Sequence, residues 1–122
     1  MKKPINRIIF VDDDTIQHMI NRKNLQRLKP DIELFFFENP FKALEWIEEN
    51  EADLLILDVN MPEMNGWNFL DLLKEKGKEI EVKMLTSSMD PSDIEMSLNY
   101  GMVSGFLIKP LKNEIMAEIL GV

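Results

Sequence analysis

The chain has 122 residues, 45% of them hydrophobic and 30% charged, a size and balance that fit one globular domain with a sizeable core. It contains no cysteine, which excludes disulfides, thiol catalysis and thiolate metal sites, and its net charge of −8 comes with no Lys/Arg cluster suited to nucleic acid. No apolar run approaches the roughly 18–20 residues of a membrane span, and the start Met1-Lys2-Lys3-Pro4 is too short and polar for a signal peptide, so a cytoplasmic protein is expected.

Along the chain, Ile8-Ile9-Phe10-Val11 predicts a strand that ends in three acids, Asp12-Asp13-Asp14. A helix over Thr15–Leu28 follows, with Ile16, Met19, Ile20 and Leu28 at helical spacing and Asp14 as its cap. His18, the sole histidine, falls on this helix and is expected at its surface. Residues 32–37 read as a second strand. Asn39-Pro40 then supplies a cap and a first-turn proline for a helix over 41–49, with Phe41, Leu44 and Ile47 inward. The third strand, 54–57, runs into Asp58. Beyond it, Met61-Pro62-Glu63-Met64-Asn65-Gly66 reads as a turn in which Asn-Gly favours positive φ. A helix over 67–76, carrying Phe69, Leu70 and Leu73, stops at Gly77. The fourth strand, 82–85, leads into Thr86-Ser87-Ser88. Asp90-Pro91 opens a helix over 91–100 that places Ile94 and Leu98 inward and stops at Gly101. Phe106-Leu107-Ile108 forms the last strand, Lys109-Pro110 ends it, and a short helix over Asn113–Leu120 follows. Among nine methionines, Met84 and Met19 sit at core-compatible positions. Met89, Met96, Met102 and Met116, on or near the last two helices, are candidates for a partner patch.

Five strand–helix units in succession imply a parallel sheet with right-handed crossovers and helices on both faces. The expected fold is α/β, a five-stranded doubly wound parallel sheet of flavodoxin-like order 2-1-3-4-5, as one domain over residues 1–122. In such sheets the ligand site lies at the carboxyl ends of the strands. Four of the predicted strands end there in polar residues: the acids of 12–14, Asp58, Thr86 with its serines, and Lys109. Two carboxylates about 5 Å apart repel by roughly 3 kcal/mol at an effective dielectric near 20. A divalent cation relieves that repulsion, and oxygen ligands without His or Cys suit Mg²⁺, with Mn²⁺ or Ca²⁺ as possible substitutes. A lysine and a hydroxyl nearby suit phosphoryl oxygens, and a carboxylate facing both is a plausible nucleophile.

At these residues the sequence resembles the receiver domain of two-component response regulators, over essentially its full length. The matching segments are Phe10-Val11-Asp12-Asp13, Leu57-Asp58 through Gly66, Leu85-Thr86-Ser87 and Gly105-Phe106-Leu107-Ile108-Lys109-Pro110. The resemblance implies that Asp58 accepts a phosphoryl group from a histidine kinase or histidine phosphotransfer protein. Asp13, Asp58 and the Asn60 backbone carbonyl would hold Mg²⁺ directly, with Asp12 acting through water. Thr86, Lys109 and the Ser87 backbone N–H would bind phosphoryl oxygens. Phe106 would be the aromatic switch residue that turns inward as Thr86 moves, and Lys109–Pro110 would be a cis peptide. It further implies a signalling phosphoacceptor, with autophosphatase activity only, which acts on a downstream protein as a monomer or as a phosphorylation-dependent dimer. The first helix would be a face that docks phosphotransfer partners.

Overall fold

In the computed structural model, which describes residues 4–122, five parallel strands form one sheet in the order β2-β1-β3-β4-β5. The elements alternate as β1 (Arg7–Val11), α1 (Thr15–Leu28), β2 (Glu33–Phe37), α2 (Pro40–Glu49), β3 (Leu54–Asp58), α3 (Gly66–Glu75), β4 (Val82–Thr86), α4 (Pro91–Ser97), β5 (Val103–Ile108) and α5 (Asn113–Leu120). The expected fold and strand order are therefore those observed. Residues 1–3, which carry most of the polar start, lie outside the described residues.

Side chains of successive strand residues point to opposite faces, and the core divides accordingly. Ile9, Val11, Leu55, Leu57, Val82 and Met84 meet Ala43, Leu44 and Ile47 of α2 and Phe69, Leu70 and Leu73 of α3. On the other face, Ile8, Phe10, Leu54, Ile56, Leu85 and Leu107 meet Leu25 of α1 and Met116 and Leu120 of α5. All five residues of β3 are buried, as befits a central strand covered on both sides.

Local signals work as read at three helix starts. Asp14 accepts the Gln17 N–H, Asn39 accepts the Phe41 N–H at 2.8 Å, and Asp90 accepts the Ser92 N–H at 2.9 Å, each a standard N-cap bond. Gly77 ends α3 with φ of 67°.

Several expectations are corrected. On α1, Ile16 and Met19 are 67% and 72% exposed and Ile20 is also exposed, so Met19 is not a core residue. The buried stripe is His18, Asn21 and Leu25. These residues share one face by i, i+3 and i+7 spacing, opposite to the apolar stripe. His18 is thus a buried residue, 7% exposed, and not a surface one. Helix α4 ends at Ser97, short of Gly101, and it buries no residue: Ile94 is exposed and Leu98 is 82% exposed. Tyr100, beyond the helix, fills that side of the core instead. Phe41 is exposed, because α2 turns Pro40, Ala43, Leu44 and Ile47 to the sheet. Strand β5 begins at Val103, three residues early, with a register shift opposite Val82 and Lys83. Met116 is buried in the α5 face and cannot belong to a surface patch, whereas Met89 and Met96 are exposed. Finally, Gly66 has no positive φ; among the described residues only Gly77 and Gly121 do. It is the first residue of α3, with Asn65 as the cap.

Candidate functional site

The strand ends bring four polar side chains to one edge of the sheet. Backbone pairing continues one residue past β1 and β5: Asp12 N–H donates to the Phe37 carbonyl at 3.1 Å, and Lys109 N–H to the Thr86 carbonyl at 2.8 Å. The chain leaves β1 toward β2 on one side, while β3 lies on the other. Asp12 and Asp58 therefore flank the crevice at this reversal of strand order, where open α/β sheets bind ligands.

Asp12 and Asp58 are both buried. The Lys109 ammonium sits between them, 3.0 Å from Asp12 Oδ2 and 3.1 Å from Asp58 Oδ2. Asp58 Oδ1 accepts the Asn60 N–H at 3.1 Å, and Asp12 Oδ1 accepts the Asp14 N–H at 3.1 Å. Burial, reinforced by the neighbouring Asp12 charge, pushes the Asp58 carboxyl up to about 6, against the lowering effect of the Asn60 and Lys109 hydrogen bonds. Burial works against the Lys109 ammonium, but Asp12 and Asp58 together outweigh it and hold that group above its ordinary range.

Carboxylate oxygens of Asp12, Asp13 and Asp58 lie within 4.8 Å of one another. Asp12 Oδ2 is buried and, apart from the ion pair with Lys109, accepts no aligned hydrogen bond. Among the described residues, the two buried carboxylates share the Lys109 ammonium, and the exposed Asp13 carboxylate beside them has no cation of its own. An all-oxygen donor set with surplus negative charge and a buried oxygen short of donors fits a hard divalent cation such as Mg²⁺.

Other site residues stand further from this cluster. The Thr86 hydroxyl donates to the Ser88 carbonyl at 2.8 Å and accepts the Ser88 N–H at 3.3 Å, so it is engaged with the loop after β4 and not with Asp58. Ser87 is exposed in that loop. Asn60 meets Asp58 through its N–H. Phe106 is half-buried, its ring edge-on to Trp67 of α3 at 6.4 Å. The Lys109–Pro110 peptide is cis.

Two residues at the site carry parts that sequence reasoning did not assign. A Cβ at Gly66 would lie 2.7 Å from the Asp58 carbonyl oxygen and 2.8 Å from Met84 Cε, so glycine is needed for close approach and not for φ. His18 Nε2 lies 2.6 Å from the Asp12 carbonyl oxygen. The only signal for it in the sequence is its spacing from Leu25.

The family model for the response regulator receiver domain matches residues 8–120. Chemotaxis protein CheY1 of Helicobacter pylori is 31% identical over 122 residues, covering 95% of this chain and 94% of CheY1. The transcriptional regulatory protein FlgR of the same species is 37% identical over 116 residues, 92% of this chain but 28% of FlgR. Among solved structures, Vibrio cholerae chemotaxis protein CheY4 superposes with a TM-score of 0.80 at 27% identity, covering 96% of this chain and 97% of that one. Against other curated relatives the chain spans a smaller share of their length, 28% in one regulator and 52% in another.

Proposed function

The chain belongs to the response regulator receiver domain family, and on that premise we propose that it is a phosphoacceptor switch in which Asp58 takes a phosphoryl group from a phosphohistidine. The donor is a histidine kinase or a histidine phosphotransfer protein, and the output is phosphorylation-dependent binding to a downstream protein. The observation that carries this reading is Asp58 itself: a buried carboxylate at the end of the central strand, facing one ammonium and two further carboxylates.

Phosphoryl transfer asks mainly for positioning and charge compensation. Asn60 N–H holds Asp58 Oδ1 and fixes the carboxylate plane. One Asp58 oxygen attacks phosphorus in line, the P–N bond to the donor imidazole breaks, and its electron pair stays on that nitrogen. Lys109, shared between Asp12 and Asp58, is the cation that turns toward the incoming phosphoryl oxygens. Asp12, Asp13, Asp58 and the Asn60 carbonyl would hold Mg²⁺, which when bound offsets the charge of these carboxylates and of the phosphoryl oxygens. Thr86 exchanges its bond to the Ser88 carbonyl for one to a phosphoryl oxygen, the Ser87 N–H adds a donor, and Phe106 turns as the Thr86 hydroxyl moves. Water attacking the acyl phosphate restores Asp58 and releases phosphate, a slow autodephosphorylation that the exposed Asn60 and Ser88 leave accessible. Such a protein is a cytoplasmic signalling component, without metabolic turnover; among the described residues no helix is long and apolar enough to cross a membrane.

The test is intact-mass analysis after incubation with acetyl phosphate and Mg²⁺. One hydroxylamine-labile phosphoryl group is expected on the parent and none on Asp58→Asn. Label that survives in the variant and maps to a hydroxyl side chain would refute the assignment.

A further inference from the structure

The imidazole of His18 lies buried on the sheet-facing side of α1, and the phosphoryl chemistry above makes no use of it. A carbonyl oxygen can only accept, so the 2.6 Å contact with the Asp12 carbonyl has Nε2 as donor. We propose that His18 is a positioning residue for the cation-holding end of the site: it fixes the Asp12–Asp13 peptide and thereby aims the Asp13 carboxylate at Asp58. This rests on the reading of Asp12, Asp13 and Asp58 as a Mg²⁺ site.

Three observations support the assignment. First, Asp12 is held at every other polar atom: its N–H by Phe37, Oδ1 by the Asp14 N–H, and Oδ2 by Lys109. The carbonyl is the remaining handle, and it belongs to the peptide unit that leads into Asp13. Second, Asp13 is exposed, and among the described residues no hydrogen bond or ion pair fixes its side chain. The part of Asp13 that the fold holds in place is therefore its backbone, which pivots on that peptide and sets where the side chain starts. Third, the imidazole is itself held in place. Its centroid lies 5.0 Å from Phe36 and 6.5 Å from Phe10, which stack on each other at 4.8 Å, and the Arg22 guanidinium lies 4.7 Å over the Phe36 ring. A donor whose rotamer is locked by packing can hold a neighbour's geometry. Filling the core alone would not require a polar ring, whose burial costs free energy unless its hydrogen bonds are made.

Mg²⁺ alone is titrated calorimetrically into the parent, His18→Phe and His18→Gln, and amide exchange at Asp14 is followed in chelator. His18→Phe keeps an aromatic ring against Phe36 without the donor. It is expected to weaken Mg²⁺ binding about tenfold or more and to speed exchange of the Asp14 N–H in the metal-free protein. His18→Gln, with an amide donor at similar reach, is expected to regain most of both. Parent-like Mg²⁺ affinity in His18→Phe overturns the proposal, as does a loss of metal-free stability with affinity unchanged, or a Gln variant no better than Phe. If His18→Phe does not fold, His18→Met, which also lacks the donor, is held to the same criteria. A parent that binds no Mg²⁺ refutes the metal-site reading itself, whereas a binding parent with an unaltered His18→Phe refutes only the role of His18.

Discussion

Asp58 holds a proton in the metal-free fold over a pH range where the unfolded chain has released it. Its carboxyl lies at about 6 against an ordinary 3.8, chiefly through burial and the Asp12 charge. Between these values the folded state binds more protons, so Asp58's contribution to stability is greatest below about 3.8 and is lost as pH rises through about 6. Urea unfolding in chelator is expected to show Asp58→Asn gaining on the parent from pH 4 to pH 7; a gap that does not change with pH would contradict the shift. Tyr100 gives a second reading at the same scale, because it is the only tyrosine. Burial, then the hydrogen bond it donates to Asp71 Oδ1 at 2.9 Å and the Asp71 charge, hold its hydroxyl above the usual 10. Its alkaline absorbance titration should therefore have its inflection above 10, and Asp71→Asn should bring that inflection down. An unchanged inflection would remove Asp71 as a cause.

The start of α3 shows how an element is placed by one missing atom. Gly66 N–H donates to the Val59 carbonyl at 2.8 Å, and its Cα faces the backbone of Asp58. In Gly66→Ala the new Cβ must displace backbone, so a loss of roughly 1–3 kcal/mol is expected, together with slower phosphorylation of Asp58. A parent-like melting temperature would show that α3 can shift without cost. Such contacts were not legible in the sequence, where Asn65-Gly66 looks like a turn preference. The strands were legible because their apolar runs stop at polar residues, and so was the gathering at one sheet edge of the candidate residues Asp12, Asp58, Thr86 and Lys109, which stand at those stops. Helix α1 was not. Its regular stripe of Ile16, Met19 and Ile20 faces outward, while the buried stripe contains His18 and Asn21, whose polarity conceals their position. Helix α4 misled for a related reason: Ile94 and Leu98 keep helical spacing, but the core there is filled by Tyr100 and Trp67, stacked at 5.4 Å.

Across the whole molecule, the site joins residues that the sheet alone makes neighbours. The donor set is assembled only on folding, so on the proposed reading Mg²⁺ would bind the folded state and stabilise all of it. At about ten times its dissociation constant the gain is roughly 1.4 kcal/mol. Asp13→Asn should lose most of that gain, while its metal-free stability, at an exposed position, stays within ~0.5 kcal/mol of the parent. Equal melting temperatures with Mg²⁺ and with chelator in the parent would contradict a metal site. The position of Lys109 has a consequence for biosynthesis. It lies 51 residues beyond Asp58 in the chain and follows β5, an edge strand that pairs only with β4. A growing polypeptide has thus made β1 to β4, and with them both buried carboxylates, before their counter-cation emerges. Until that residue emerges, the repulsion between the two carboxylates opposes closing the crevice. The last strand brings two things together, a partner for the free edge of β4 and the cation that offsets part of the crevice charge. A chain truncated before β5 is therefore expected to leave both the sheet edge and the carboxylates uncompensated.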